Sequence, residues 1–362
     1  MQALHVMDTD LKLIGEITQY TSFRIKRLFR GVGDFQLELP LGHPMKDRLQ
    51  KDRIIYPVGY PERAVMIEEI AEEEGKDKVT IKGYPLSGIF KRRICVPPAV
   101  SADSYGYDRV IANAETVMKH YIKNNVTEPE SAARKIDCVI IEEDAGRGME
   151  NVAWSARFEE LDTVLGQIGT YADAGFDVIP DFKTGKLVAR FLPGRDLTGT
   201  DGGRRVTFAA SMGNVLTATY SESWKKYRNA AVIAGAGEDE DRLILLHGEA
   251  QGLERRETYI DGGSEEDPAQ LIFKAKHTLS EKVVEKAIKA QTKDTPSCRY
   301  GVHWELGDMV GVVQGSRLMR ARVTQVQESH EAGKDVKITV AFGDPPAGIE
   351  RVIADRTRTV VY

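Results

Sequence analysis

Cysteine is scarce in this chain, with three among 362 residues. Cys95, Cys138 and Cys298 lie far apart and form no C-x-x-C pair. A disulfide framework or a zinc knuckle is thereby excluded, and each cysteine is expected as a small buried hydrophobe. Aromatic residues make up only 7%, which argues against a sugar-binding or base-stacking surface. Trp154, Trp224 and Trp304 each stand beside a segment boundary and are expected to anchor junctions. No apolar run approaches the ~20 residues of a membrane-spanning helix. The N-terminal MQALHVMDTDLKLIGEI lacks the basic-then-apolar order of a secretion signal. A protein made and kept in a reducing cytosol, or released by lysis, is expected. Neither sign of charge dominates: 50 Lys and Arg against 55 Asp and Glu leave a net charge of -5. That argues against a dedicated nucleic-acid binder, which carries a basic face.

Chemical motifs are missing too. There is no G-x-x-x-x-G-K-[ST], no H-E-x-x-H and no G-x-S-x-G. Gly235-Ala236-Gly237 follows an apolar strand, but the third glycine of a dinucleotide fingerprint is replaced by Glu240. The run Glu238-Asp239-Glu240-Asp241 would repel a pyrophosphate, and RLILLHG beyond it reads as a strand where a helix is required. An acidic hairpin loop is expected there. The seven histidines, at 5, 43, 120, 247, 277, 303 and 330, are scattered one per element and expected as surface or packed residues. Carboxylates come in runs, Glu68/Glu69, Glu142/Glu143/Asp144 and Glu265/Glu266/Asp267. Such runs are solvated faces, whereas a catalytic acid needs burial to raise its pKa. Glu238, Asp239 and Asp241 lack the spacing of a calcium loop. No catalytic, metal or cofactor-binding residue is assigned, and no cofactor is expected.

What is present is a globular composition, 41% hydrophobic and 29% charged, over a length that predicts two or three domains at ~150 residues each. Residues 1–95 read as an antiparallel meander. Phe35, Leu37 and Leu39 alternate with Gln36 and Glu38, the period of a half-buried strand. DRIIYPVG (52–59), RAVMIEEIAEEE (63–74) and KVTIKG (78–83) continue it, with Gly75-Lys76-Asp77 as a hairpin turn. After Val96-Pro97-Pro98 the spacing of Val110, Ile111, Ala114, Val117, Met118, Tyr121 and Ile122 predicts a helix ending near Asn124-Asn125. A second helix is predicted over 155–174 with Phe158, Leu161, Val164, Leu165, Ile168 and Tyr171 inward and Gly175 closing it. A hairpin turning at Lys183-Thr184-Gly185-Lys186 follows. Strands resume from Asn229, interrupted by a helix over 268–280 with Ala269, Ile272, Phe273 and Leu279 inward. VVEKAIKAQT (283–292) is read as a strand, and three more strands close the chain.

The two ends resemble each other. Asp52-Arg53-Ile54-Ile55 and Asp308-Met309-Val310-Gly311 each open a strand, which ends at Gly59 and Gly315 respectively. Ile67 lies 15 residues after Asp52, and Val323 lies 15 after Asp308. Each following strand reaches a Gly-Lys-Asp turn, at Gly75 and at Gly333, and then an alternating strand ending on Gly83 or Gly343. Any two meanders share some of this, but the order favours duplication. The fold class expected is α+β, mostly β: two similar small antiparallel β-barrels separated by an inserted α/β region. Three chains with two such barrels each would close a ring of near-sixfold symmetry.

Several segments point to a family: IKRLFRGVGDFQLELP (25–40), IKGYPLSGIFKRRI (81–94), YRNAAVIAGAG (227–237) with the Asp241-Arg242 that follows, RRETYID (255–261), WELGDMV (304–310) and ARVTQVQESHEAGKDVKITVAFG (321–343). In this order they resemble the siphophage tail-hub proteins, the N-terminal module of tail-associated proteins, which is similar to the baseplate hub proteins of contractile tails. The resemblance is weakest over 96–225. It implies a first hub barrel over 1–95, a lateral insert over 96–225, and a second hub barrel over 226–362 with associated strands and one helix. It further implies a virion structural protein of the tail tip, made in the host cytoplasm: a homotrimer whose pseudo-hexameric ring joins the sixfold tail tube to a threefold tip. Implied partners are the distal tail or tail tube protein, the tape measure protein, and tip, spike or receptor-binding proteins. DNA would pass only as cargo, and no membrane span is implied. The chain stops at Tyr362, soon after the last expected strand, so no appended lysozyme, peptidase or fibre domain is expected. Glu72, Glu73 and Glu74, with Glu328 and Glu331 at the matching place, are candidate acids of the lumen or its loops; an outward solvated hairpin is the alternative. A tail-tip peptidoglycan hydrolase or peptidase, or a receptor- or sugar-binding module, is the competing reading.

Overall fold

The computed structural model describes residues 2–343, except 73, 74, 76, 102, 103, 201, 202 and 316. The chain begins with β1 (Leu4–Met7), β2 (Leu13–Ile17), β3 (Ser22–Leu28), β4 (Gly31–Pro40), β5 (Ile54–Pro57), β6 (Val65–Glu72) and β7 (Lys78–Pro85). A short hairpin of β8 (Ala99–Ser101) and β9 (Ser104–Tyr105) leads to β10 (Asp108–Ala112), α1 (Ala114–Ile122), β11 (Val139–Ile141) and β12 (Val152–Ala156). Then come α2 (Leu161–Ala172), β13 (Gly175–Asp181), β14 (Lys186–Leu192), β15 (Thr207–Phe208) and β16 (Val215–Ser223). β17 (Ala230–Ala234), β18 (Ile244–His247), β19 (Glu257–Asp261) and α3 (Pro268–Glu281) precede β20 (Glu285–Thr292). The last strands are β21 (Met309–Gln314), β22 (Arg317–Glu331) and β23 (Lys337–Gly343).

Backbone contacts divide the chain into two compact units. The first comprises residues 1–218 and 289–342; the second, among the described residues, 219–288 with Gly343. Of the segment 96–225, expected as a separate insert, residues 96–218 therefore belong with the N-terminal strands. The reason is apolar burial. Val117, Tyr121, Leu165 and Phe176 share one core with Met7, Ile54, Leu86 and Phe90, and burying each such side chain stabilises by about 1.5–3 kcal/mol.

Most strands of the first unit lie in a 13-stranded sheet running β16-β20-β23-β22-β3-β4-β7-β6-β5-β1-β2, with β21 paired to β22 and β15 to β21. Among the described residues two separate closed barrels do not form: β2 and β16 end the sheet unpaired to each other, and both strand sets lie in it. The length of β22 is the cause. Its first residues, Arg317–Arg322, pair with β21, and its continuation, Gln325–Glu331, pairs with β3 of the N-terminal set. In β4 the predicted alternation holds, with Phe35, Leu37 and Leu39 inward. Two glycines are required where strands kink. A Cβ on Gly33 would lie 1.7 Å from the Lys26 carbonyl oxygen, and one on Gly83 would lie 2.0 Å from that of Met66. Each sits at a register shift, in β3 against β4 and in β6 against β7.

The predicted helices are shorter than their stripes. Val110 and Ile111 belong to β10, where Ile111 faces solvent. α1 starts at Ala114 because Asn113 accepts a hydrogen bond from the Thr116 amide at 3.0 Å. Ser155 lies in β12, Phe158 is exposed, and α2 is closed by Asp173 in the left-handed conformation (φ 51°) rather than by Gly175, which opens β13. Asp173 bears that strain because its carboxylate binds both Arg30 and Arg322.

In the second unit β17 pairs antiparallel with β18 and parallel with β19, and α3 covers one face through Leu271 and Ala275. Ala269, expected inward, is exposed, and Ile272, Phe273 and Leu279 are half-buried. Asp267 and Pro268 start α3, the Asp267 carboxylate accepting from the Ala269 amide. The Gly235-Ala236-Gly237 stretch is the hairpin loop between β17 and β18, as its sequence implied: Gly235 donates to Leu243, and a Cβ on Gly237 would strike the Asp241 carbonyl at 2.4 Å.

Candidate functional site: the seam between the repeated strand sets

The repeat of the sequence is a repeat of topology. β3, β4, β7, β6 and β5 follow one another across the sheet, and so do β16, β20, β23, β22 and β21. The backbone bonds correspond in detail. Ile67 donates to the Arg53 carbonyl and accepts from the Asp52 amide, both at 3.0 Å; Val323 donates to Asp308 and accepts from Gly307, both at 2.8 Å. Asp52 (φ 67°) and Gly307 (φ 89°) occupy the same left-handed position. Where β3 and β4 are joined by a tight turn, β16 and β20 are separated by the 61 residues that hold β17–β19 and α3.

The two sets meet where β22 pairs antiparallel with β3, Val326 opposite Arg27, Glu328 opposite Ile25 and His330 opposite Phe23. All six of these side chains are buried. The Arg63 guanidinium, from the turn before β6, donates to Glu328 at 2.6 Å and lies between the Tyr60 and Tyr300 rings, 4.1 and 4.5 Å from their centroids. Arg27 donates to the Tyr300 hydroxyl at 2.8 Å, to Glu305 at 3.1 Å and to Asp177 at 3.2 Å. Burial opposes the Arg27 charge, but Tyr300, Glu305 and Asp177 more than offset it and raise its pKa. Burial also raises the Tyr300 hydroxyl, keeping it a neutral donor and acceptor. These buried, paired charges favour one register of the seam, with the Arg63 Nε and one Glu328 carboxylate oxygen left without a hydrogen bond.

The candidate acids separate here. Glu328 is not a solvated loop acid: it is buried in the seam and neutralised by Arg63. Period-2 phase is the reason, since Val326, Glu328 and His330 share the inward face. Glu331 ends β22, half-exposed and paired with Lys334 at 2.5 Å. Glu72 ends β6, half-exposed and paired with Lys46 at 2.8 Å. Glu73 and Glu74 lie outside the described residues. No described hydrogen bond or ion pair joins Glu72 to Glu328 or Glu331. Arg27 and Arg63 were not singled out in the sequence. For Arg27 the signal existed, because Phe23, Ile25 and Arg27 are in phase on β3; nothing local marked Arg63.

Elsewhere the charged clusters are locked. Glu115, fully buried on α1, accepts from Arg147 at 2.6 Å and from Lys119 at 2.5 Å. Burial works against ionisation there, yet those bonds hold the carboxyl down at about 2, so it neither donates nor takes a proton near neutrality. His120 is held by Asp108 at 2.7 Å and Asn124 at 3.2 Å. Burial pushes the Cys95 thiol up to about 12 and that of Cys298 up to about 11, the inert state expected of them. Trp304 packs on Phe208 and Tyr300, whereas Trp224 is exposed. Among the described residues no three His, Cys, Asp or Glu side chains gather as a metal site. No described helix is long and apolar enough to cross a membrane.

Residues 3–344 match the family described as Siphovirus ReqiPepy6 Gp37-like protein. The chain belongs to that family. For this Gp37-like chain, no match was found among curated proteins. Among the solved structures that share its fold are two tail proteins. The 43 kDa tail protein of prophage MuSo2 from Shewanella oneidensis is 12% identical with a TM-score of 0.56, over 95% of this chain and 99% of that one. A tail protein from Neisseria meningitidis MC58 is 14% identical with a TM-score of 0.55, over 95% and 97%. At such identities the likeness of the Gp37-like chain to both is one of fold.

Proposed function

We propose that the protein is a structural, non-catalytic component of the phage tail tip or baseplate hub. Three chains form a pseudo-hexameric ring that joins the sixfold tail tube to the threefold tip and passes DNA during ejection. The observation that carries the reading is the duplicated five-strand set, with one copy already joined to the other by β22 and β3. A chain holding two copies of one building block is what a threefold assembly needs to meet a sixfold tube. The siphoviral family and the tail-protein fold support it. In this reading the protein resides in the virion tail, against distal tail or tube, tape measure, and tip, spike or receptor-binding proteins, with the 96–225 segment facing outward to some of them. Glu331 would lie at the lumen or its loops, where negative charge keeps DNA from adhering.

The test is the solution mass by light scattering across a concentration series, with negative-stain images of the same sample. A particle of three times 40.2 kDa with a central hole is expected. A compact monomer that clears a peptidoglycan suspension would replace the reading with a tail-tip enzyme.

A further inference from the structure

The repeat leaves one joint filled and two half-joints open. Counting from the matched residues Ile67 and Val323, Ile70 corresponds to Val326 and Glu72 to Glu328. In the second set this stretch is covered by β3. In the first set no strand among the described residues takes its place: β6 pairs with β7 on one edge, while on the other β5 reaches only Met66, with Ile67 bonded to Asp52 and Arg53. Burial records the difference at equivalent positions. Ile70 is 43% exposed where Val326 is 1%, and the side chain of Glu72 is 48% exposed where that of Glu328 is 3%.

The counterpart of β3 in the second set is β16. β3 has β4 on one edge and β22 on the other, whereas β16 ends the sheet with β20 as its only neighbour among the described residues. Every residue of β16 from Leu216 to Glu222 is exposed, the apolar Leu216 and Tyr220 included. Among the described residues no strand lies along its remaining edge, and an open strand edge is a template that native proteins cover. Main-chain pairing of such an edge to another strand is a recurring mode of recognition.

We propose that the two open edges belong to each other in different chains: β6 beyond Ile67 of one copy pairs antiparallel with β16 of a second copy, reproducing between chains the β22–β3 joint within one. The inference rests on the ring reading and specifies its interface. The occupant is a second copy because the filled joint is made of the same two kinds of strand. Each chain offers one edge of each kind, so the contact is heterologous and continues until the chains close on themselves. Ile70 then becomes covered as Val326 is, and Glu72 enters a seam between chains.

The full-length chain with Ile70→Cys, combined in turn with a cysteine in place of Leu216, Thr217, Ala218, Thr219 or Tyr220, tests the pairing by mild oxidation and non-reducing electrophoresis. The single variants serve as controls for Cys95, Cys138 and Cys298. Directly opposed strand residues have Cβ atoms about 4.5–5.5 Å apart, so the matching register gives a ladder of linked chains that stops at three. A trimer by light scattering with no linkage at any register overturns the strand pairing and leaves the ring reading in place. A chain that stays monomeric at every concentration, oxidised or not, overturns both.

Discussion

Two buried ion pairs define what individual residues contribute, and they do so differently. Arg63 and Glu328 hold the seam, each buried and each the other's counter-charge. Arg63→Met alone leaves Glu328 uncompensated and is expected to cost about 3–5 kcal/mol in urea unfolding; the double variant Arg63→Met, Glu328→Met should recover much of that loss, because no lone charge is left behind. Glu115 gives a pH signature instead. Its carboxyl is held at about 2 when folded and returns towards 4.5 when unfolded. Its contribution is therefore complete above the unfolded value and is lost as pH falls from 4.5 towards 2. Denaturant midpoints measured down that range should fall more steeply for the wild type than for Glu115→Gln, whose side chain does not titrate.

Among the elements, the β3–β4 hairpin bears most on the assembly, since β3 is the strand that β22 joins. Its kink depends on Gly33. Gly33→Ala places a methyl group on the Lys26 carbonyl, and the backbone shift it forces is expected to cost more than about 2 kcal/mol. Gly42→Ala, with nothing within 4 Å of its added carbon, should stay within about 0.5 kcal/mol of wild type. Thermal melts of the two variants side by side make the comparison. If they melt alike, the register shift in β3 does not need its glycine. The helices show the opposite balance, where local signals outran the element. Val110 and Ile111 fit the stripe of α1 but end in β10, because the cap at Asn113 and pairing with Ala153 and Trp154 claim them first.

For the molecule as a whole, the duplication explains where the second unit is placed in the chain. β16 and β20 correspond to the β3–β4 hairpin, and residues 224–284 stand where that hairpin has its short turn. Replacing 224–284 by the Phe29-Arg30 turn sequence should leave the melting transition of the first unit intact and remove a separate one in calorimetry. Loss of the first unit's transition would show that the inserted residues are needed to fold it. The ring and its strand pairing belong to this scale too, and the light-scattering and cross-linking outcomes above separate them.

Periodicity and turn chemistry are local, and they settled most strands, both hairpin glycines at 185 and 237, the strand at 285–292 and the correspondence of the two ends. They also carried Arg27 and Glu328 on the inward phase of their strands, although charge led Glu328 to be read as a loop acid. Strand pairing between residues hundreds of positions apart leaves no such mark. That β22 outruns β21 and takes β3, that 96–218 shares a core with the N-terminal strands, and that Arg63 reaches Glu328 were decided by tertiary packing alone. The physical reason is that a strand's alternation fixes which face it buries, while the partner along its edge is chosen by whichever backbone the folded chain brings alongside.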